Sequence, residues 1–410
     1  MDSHQISEII IFVKLFFVNY PNSARIMMEI KDFFIPVNID RDVCPANITP
    51  DSWVKSIAVN DTKFPQLENK KIALIGLVSA QYPNEANNIR GFLYSLKRKE
   101  YAQIVADLGN FEFKDNNPKT FEKFGFVLSE LHARNLVPVI FGGKQEITYS
   151  QYLAYEYLKK LANFVMIDPM IDFFPDNMSI INAYNYLYKI LLRDPTYLFN
   201  MSHVGFQTYL TDGEIMNTME KYYFDLIRIG KLKENMMEIE PIIRSADILS
   251  FDLSAIRHSD APASNIPSPN GFSSEEACMI TRFAGLSDNL NSIGFYEYNS
   301  EADNNGQTAF LVAQMIWYFV DGFLQRKFES IIGKPENFTK FITSDTKNDY
   351  NITFYKSIKT NRWWMEVPLK TNEKKLSGKQ IIPCSYQDYE DATRGVLPER
   401  WLKGLRKFGV

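Results

Sequence analysis

Short, uninterrupted apolar runs alternate along this chain with longer stretches whose apolar positions recur at a helical spacing. The first clear run, 72–77, reads Ile-Ala-Leu-Ile-Gly-Leu, the pattern of a parallel strand buried on both faces. A helical period follows at 87–99, then a run at 104–109, a helix at 121–134 and a run at 137–143 that closes on Gly142-Gly143. The alternation continues with helix 150–161, strand 164–168, a short strand 203–206, strand 246–253, helix 274–284, strand 292–296 and a long apolar helix 309–328. Repeated strand–helix order predicts a three-layer α/β/α domain with a mainly parallel sheet. Ligands of open α/β sheets bind beyond the carboxyl ends of the strands. Gly142-Gly143, Asp168, Asp252 and Glu297 fall at those ends.

Outside this region the pattern changes. Residues 1–68 read as an N-terminal arm in two Pro-punctuated pieces, 69–330 as the α/β domain, and 331–410 as a C-terminal extension. Within the extension, 352–355 and 362–367 alternate like the strands of a hairpin, and 388–408 is helical in flavour. In the arm, 9–18 is apolar apart from Lys14 but follows Asp2 and Glu8. It is shorter than the roughly 20 residues that span a bilayer, so a buried or partner-covered helix is expected, with no membrane association and a cytoplasmic location. The Met27-Met28 pair fits a later start, which would make 1–26 an extension of the natural chain.

Composition narrows the class. The chain has 410 residues, 45% apolar and 23% charged, enough for one large α/β domain with extensions. A net charge of -4 offers no basic face for nucleic acid. Cys44, Cys278 and Cys384 are odd in number and unpaired in spacing, as in a reducing compartment without disulfides. Cys278 lies among apolar neighbours in a helix and reads as core, and His4, His132 and His203 lack ligand spacing. Trp363-Trp364 alternate along a strand and read as packing the extension onto the core or a neighbouring subunit. A homo-oligomer or a protein partner held through the extensions is therefore expected.

The chemistry concentrates in four segments. Ser250-Phe251-Asp252-Leu253-Ser254, leading to Asp260-Ala261-Pro262, ends a strand in acidic and hydroxyl groups. Pro138 to Glu146 ends in Gly142-Gly143-Lys144-Gln145-Glu146, and Ile167-Asp168-Pro169-Met170-Ile171-Asp172 places two aspartates four apart. Gly294-Phe295-Tyr296-Glu297 ends the last strand, after Asn265-Ile266-Pro267 through Gly271-Phe272-Ser273 and Glu276. Asp107-Leu108-Gly109-Asn110 closes the run at 104–109 as a further acidic segment. In this order and spacing the segments resemble those of the arginase/agmatinase/formimidoylglutamase (ureohydrolase) family, across about 70–330.

The resemblance implies an arginase-like fold and a pair of manganese ions bridging a water that attacks an amidine carbon. The metal positions would be Gln145, Asp168, Met170, Asp172, Asp252 and Ser254. The family has histidine where Gln145 and Met170 stand and aspartate where Ser254 stands. Manganese favours carboxylate and imidazole, and a Met thioether is mismatched to it. Carboxylates converging without cations repel, so Lys144, and beyond it His258, are candidates to compensate the charge, Lys144 by pairing with Asp168, Asp172 or Asp252. Glu297 stands where the family contacts its substrate. The expected function is a non-catalytic binding or scaffold protein with no cofactor and no assigned catalytic residue. The alternative is a formimidoylglutamase- or agmatinase-like hydrolase of a formimino- or guanidino-substrate, with manganese on Asp168, Asp172 and Asp252 and His258 as a replacement ligand. A third reading is a metal-free sensor of a cationic metabolite.

Overall fold

A computed structural model describes residues 29–45, 47–97, 102–114, 117–175, 180–345, 350–369 and 379–408. The expectations placed on 1–28 (the apolar run at 9–18, His4 and the Met27-Met28 pair) lie outside the described residues. Phe34–Val410 forms one compact unit.

The strands and helices of that unit follow in chain order. They are β1 (Ala58–Val59), β2 (Ile72–Val78), α1 (Glu85–Ser95), β3 (Val105–Glu112), α2 (Pro118–Ala133), β4 (Val137–Phe141), α3 (Thr148–Leu158) and β5 (Ala162–Ile167). Next come α4 (Tyr186–Leu191), β6 (Leu198–Phe206), α5 (Gly213–Lys221), β7 (Asp225–Arg228), α6 (Ile229–Glu234), α7 (Ile239–Arg244) and β8 (Ile248–Asp252). The region closes with α8 (Ser274–Leu286), β9 (Ser292–Tyr296) and α9 (Gln307–Phe323).

These strands make one sheet in the order β1-β3-β2-β4-β9-β8-β5-β6-β7, parallel throughout. The central strands are buried along their length, which is why they read as unbroken apolar runs. Helices α1, α9, α8 and α7 pack in succession, as do α2, α3 and α4, giving the three-layer arrangement expected. Register places Phe141 beside Phe295, Asp252 beside Tyr296, and Ile167 beside Phe251. The tips of β4, β9, β8 and β5 therefore lie side by side at one edge of the sheet.

Beyond the site's reach, 338–384 forms a second, antiparallel sheet, β10 (Phe338–Asp345), β11 (Tyr350–Ser357), β12 (Trp363–Pro368) and β13 (Lys379–Cys384). The expected hairpin is its central pair, β11–β12. Helices α10 (Tyr386–Thr393) and α11 (Glu399–Lys407) follow it. Phe354, Trp363, Met365, Val367 and Trp401 form its core. The sheet is tied to α7 by Arg244, whose guanidinium lies 4.2 Å from the centroid of the Trp364 ring and donates to the Trp363 carbonyl at 2.8 Å. Glu240 accepts both Arg244 (3.1 Å) and Arg362 (3.0 Å) in ion pairs there.

Candidate functional site

Each strand tip turns by a local device. After β4, Gly142 and Gly143 take φ of 86° and 72°, and a Cβ on Gly143 would stand 2.8 Å from Ile147 Cδ1, so only glycine allows the chain to double back here. The turn delivers Lys144 and Gln145. After β5, Asp168 accepts the Met170 N–H at 2.8 Å through Oδ1, and at the end of β8 Asp252 accepts the Ser254 N–H at 2.7 Å through Oδ1. Both aspartates thus close short side-chain-to-backbone turns. After β9, Glu297 adopts a left-handed φ of 66°, uncommon for a residue with a side chain. It is held there by its N–H donating to the Gly143 carbonyl at 2.9 Å.

The structure brings Gln145, Asp168, Asp172, Asp252 and Glu297 into one electrostatic neighbourhood. Burial first, then the charge of Asp172, pushes the Asp168 carboxyl well above the usual range. Burial and the charges of Asp252 and Glu297 do the same to Asp172, and burial and Asp168 to Asp252. Ser254 is buried at the β8 tip beside Asp252, and Met170 is half-buried. Glu297 is engaged internally: Oε1 accepts the Gln145 N–H at 2.9 Å, and Oε2 accepts Asn265 Nδ2 at 2.7 Å.

The charge compensation expected of Lys144 is not made. Its ammonium lies over the Tyr82 ring, 5.7 Å from the centroid. A cation–π contact at the rim leaves the ammonium hydrated, whereas entering the buried cluster would strip it of water. His258 is exposed on the following loop, where its backbone N–H donates to the Ser268 carbonyl at 2.7 Å. Among the described residues, no three or more His, Cys, Asp or Glu side chains are grouped as metal ligands would be.

Tyr186, Gln151 and Thr148 near the site escaped sequence reasoning, and His203, read there only as lacking ligand spacing, lies beside Asp168. Tyr186 on α4 is fully buried, and burial together with the charges of Asp172, Asp168, Asp252 and Glu297 raises its phenol well above the usual range. His203 on β6 is fully buried, and its Nε2 lies 3.2 Å from the Asp168 carbonyl. A carbonyl only accepts, so Nε2 carries the proton. Gln151 donates to Ser292 Oγ at 2.7 Å and accepts the Tyr296 hydroxyl at 2.9 Å, while Thr148 Oγ1 meets Ser250 Oγ at 2.7 Å, making a buried polar seam beneath the tips. Asp107 and Asn110 stand apart from the cluster: Arg90 pairs with Asp107 at 2.8 Å and donates to Asn110 Oδ1 at 2.5 Å, tying α1 to β3.

A parallel α/β sheet with carboxylates gathered beyond the ends of its central strands places the chain in the open-sheet α/β class, whose ligand sites lie at that edge. More specifically, the chain belongs to the arginase family, whose model matches residues 81–321. A formimidoylglutamase of Staphylococcus haemolyticus is 24% identical over 283 residues, covering 63% of this chain and 90% of that protein. Among solved structures, formimidoylglutamase of Bacillus subtilis superposes with a TM-score of 0.61 at 18% identity, covering 70% of this chain and 97% of that one. Trypanosoma cruzi formiminoglutamase with manganese gives 0.57 at 16% identity, covering 64% and 96%. The agmatine ureohydrolase of Thermoplasma volcanium gives 0.53 at 19%, covering 68% and 97%. The likeness to these structures establishes the arginase-like fold.

No described helix is long and apolar enough to cross a membrane.

Proposed function

We propose that this chain is a non-catalytic member of the arginase family, a binding or scaffold protein that does not carry out manganese-dependent amidine hydrolysis. One observation carries the reading: three of the six metal positions hold Gln145, Met170 and Ser254, and the remaining carboxylates are not grouped as a metal-ligand set. A manganese pair needs several charged or imidazole donors around two closely spaced ions, with an open position for the bridging water. Here one oxygen of Asp168 and one of Asp252 already close backbone turns, and both oxygens of Glu297 are taken by Gln145 and Asn265. The residues present do not fit that pair. The C-terminal extension, docked on α7 and bearing exposed Ile342 and Ile358, supports a role in holding a protein partner.

A second reading keeps a remodelled hydrolase of the kind that the relatives' names describe, and the retention of Asp168, Asp172, Asp252 and Glu297 favours it. Elemental analysis separates the two. The protein is incubated with excess Mn²⁺, desalted and analysed. Under the leading reading it retains less than about a tenth of an ion per chain, whereas a competent family site needs both ions to make hydroxide near neutral pH. Retention of one to two ions, with turnover of a formimino- or guanidino-compound, would overturn it.

A further inference from the structure

The geometry points to the free edge of β10 as the surface on which a second copy of this chain pairs, the two strands running antiparallel about a twofold axis at Ile342. The inference rests on the reading of this chain as a binding protein, and it names the partner and the strand that receives it. β10 ends the second sheet and, among the described residues, pairs with β11 alone. The Ile358 N–H, just past β11, donates to the Asn337 carbonyl at 2.9 Å, which fixes the phase of the ladder. Backbone groups alternate in direction along an antiparallel strand. Thr339, Phe341 and Thr343 therefore bond to β11, while the N–H and C=O of Lys340, Ile342 and Ser344 point to the open edge. Phe338 has the same phase, but its N–H is taken by the Pro335 carbonyl, so the open row begins at Lys340. A row of donors and acceptors at that spacing is matched by another extended backbone.

The opposite edge of the sheet identifies the mate by elimination. The Ser357 N–H donates to the Arg362 carbonyl at 2.9 Å, and the same alternation turns Lys379, Ile381 and Pro383 of β13 outward. Pro383 has no N–H to offer there and Lys379 brings a charge, two devices that keep edge strands from pairing. The β13 edge of one copy therefore refuses the β10 edge of another, and open-ended stacking is blocked. β10 has no proline, its one lysine stands off the centre of the open row, and Ile342 at that centre is 61% exposed. What remains is β10 against β10, which closes after two copies. Charge chooses the register. With Ile342 facing Ile342 of the second copy, Lys340 faces Ser344 and the whole open row pairs, giving about six backbone hydrogen bonds. The two Lys340 positions then stand about 14 Å apart, beyond a Debye length of about 8 Å. A shift of two residues toward Phe338 would bring them to about 8 Å and would need the Phe338 N–H, which is already used.

The test uses the full chain. Sedimentation equilibrium over a roughly hundredfold range of concentration should show a monomer–dimer equilibrium with no larger species. Ile342→Pro removes an N–H that points away from β11, so the β10–β11 ladder is kept. It should weaken association roughly tenfold or more while the melt of the dilute monomer stays at the wild-type value. Ile342→Lys and Ile342→Glu each set like charges against one another across the axis. Either variant alone should be monomeric, and an equal mixture should form the heterodimer, read by native mass spectrometry. This pair keeps the test decisive where the proline variant fails to fold. A wild-type chain that stays monomeric overturns the inference, as does a dimer that Ile342→Pro leaves at wild-type affinity. Dimers of either charged variant alone, or none from their mixture, overturn it too. Manganese content, measured on the same samples, decides the non-catalytic reading separately from all of these outcomes.

Discussion

At the scale of single residues, burial decides which groups titrate and which react. His203 is fully buried and its imidazole is pushed down to about 4, from an unperturbed value of about 6.5. Between those values the unfolded chain binds a proton that the native protein does not, so His203 contributes stability that is complete above about pH 6.5 and is lost as the pH falls toward 4. The loss amounts to about 3 kcal/mol. Asp168, Asp172 and Asp252 act with the opposite sign. Their raised proton affinity makes the native state bind protons first, so their part of the stability grows as the pH falls toward the unfolded carboxyl value. The wild-type profile mixes the two, and the variant His203→Gln, which keeps an N–H donor for the Asp168 carbonyl, separates them. Urea unfolding at pH 7 and pH 4 should show the variant losing about 3 kcal/mol less than wild type over that range. Equal losses would mean that His203 is protonated in the native state. Thiol chemistry gives a simpler check: Cys44 is exposed, whereas burial raises the Cys278 thiol to about 12 and Cys384 well above the usual range. A thiol reagent at neutral pH should label one cysteine in the native chain and three after unfolding.

At the scale of elements, what the sequence made legible was whatever runs mostly apolar and buries on both faces. β2, β4, β5, β8 and β9 are such runs, and the ends of these strands hold the residues that the motifs single out. The edge strand β7 reads Asp-Leu-Ile-Arg and is only half-buried, so it carries no apolar run to notice. β10 and β13 extend the hairpin to four strands, but they alternate weakly in sequence, and the connections 346–349 and 370–378 lie outside the described residues. The buried seam of Thr148 and Gln151 hid for a different reason. The first two turns of α3 are buried on all sides, so its polar residues face protein where a helical period would put them in water. Tyr186 gave no signal because nothing in its local sequence shows that α4 lies against the aspartates. The docking of the extension on α7 was legible only as an aromatic pair, and its mate proves to be a buried arginine. Replacing Arg244 with Met removes the contact with Trp364, strands the Trp363 carbonyl and leaves Glu240 with Arg362 as its remaining ion-pair partner. Urea unfolding of the full chain should show a loss of about 3 kcal/mol. A change within about 0.5 kcal/mol, the range of ordinary surface substitutions, would show that the extension is held by its apolar core alone.

For the whole molecule, the proposed non-catalytic reading raises the question of whether the scaffold has kept the shape of a metal-binding arginase relative with altered donors, or differs in both. The sheet order, the register of the four central strands and the Gly142-Gly143 turn all concern backbone, and they place Gln145, Asp168, Asp252 and Glu297 at neighbouring tips. Neither the Lys144 ammonium, turned to Tyr82, nor His258, exposed on its loop, stands in the way of a metal. On the non-catalytic reading proposed above, the obstacle is side-chain chemistry at three positions, and it should be reversible. Gln145→His, Met170→His and Ser254→Asp, made together, supply two imidazoles and a carboxylate to the three aspartates already present. After Mn²⁺ loading and desalting, the triple variant should rise from below about a tenth of an ion per chain toward roughly two, while each single change gives much less, because a pair site needs its full ligand set. Glu297 provides an internal check on the geometry. Its left-handed backbone and its clamp between the Gln145 N–H and Asn265 do not depend on the Gln145 side chain, so restored metal binding should leave that clamp intact. If the triple variant folds, with wild-type circular dichroism, and still retains no manganese, then the strand tips themselves have moved from where a metal pair requires them. Divergence would then have reached the backbone of the site as well as its side chains.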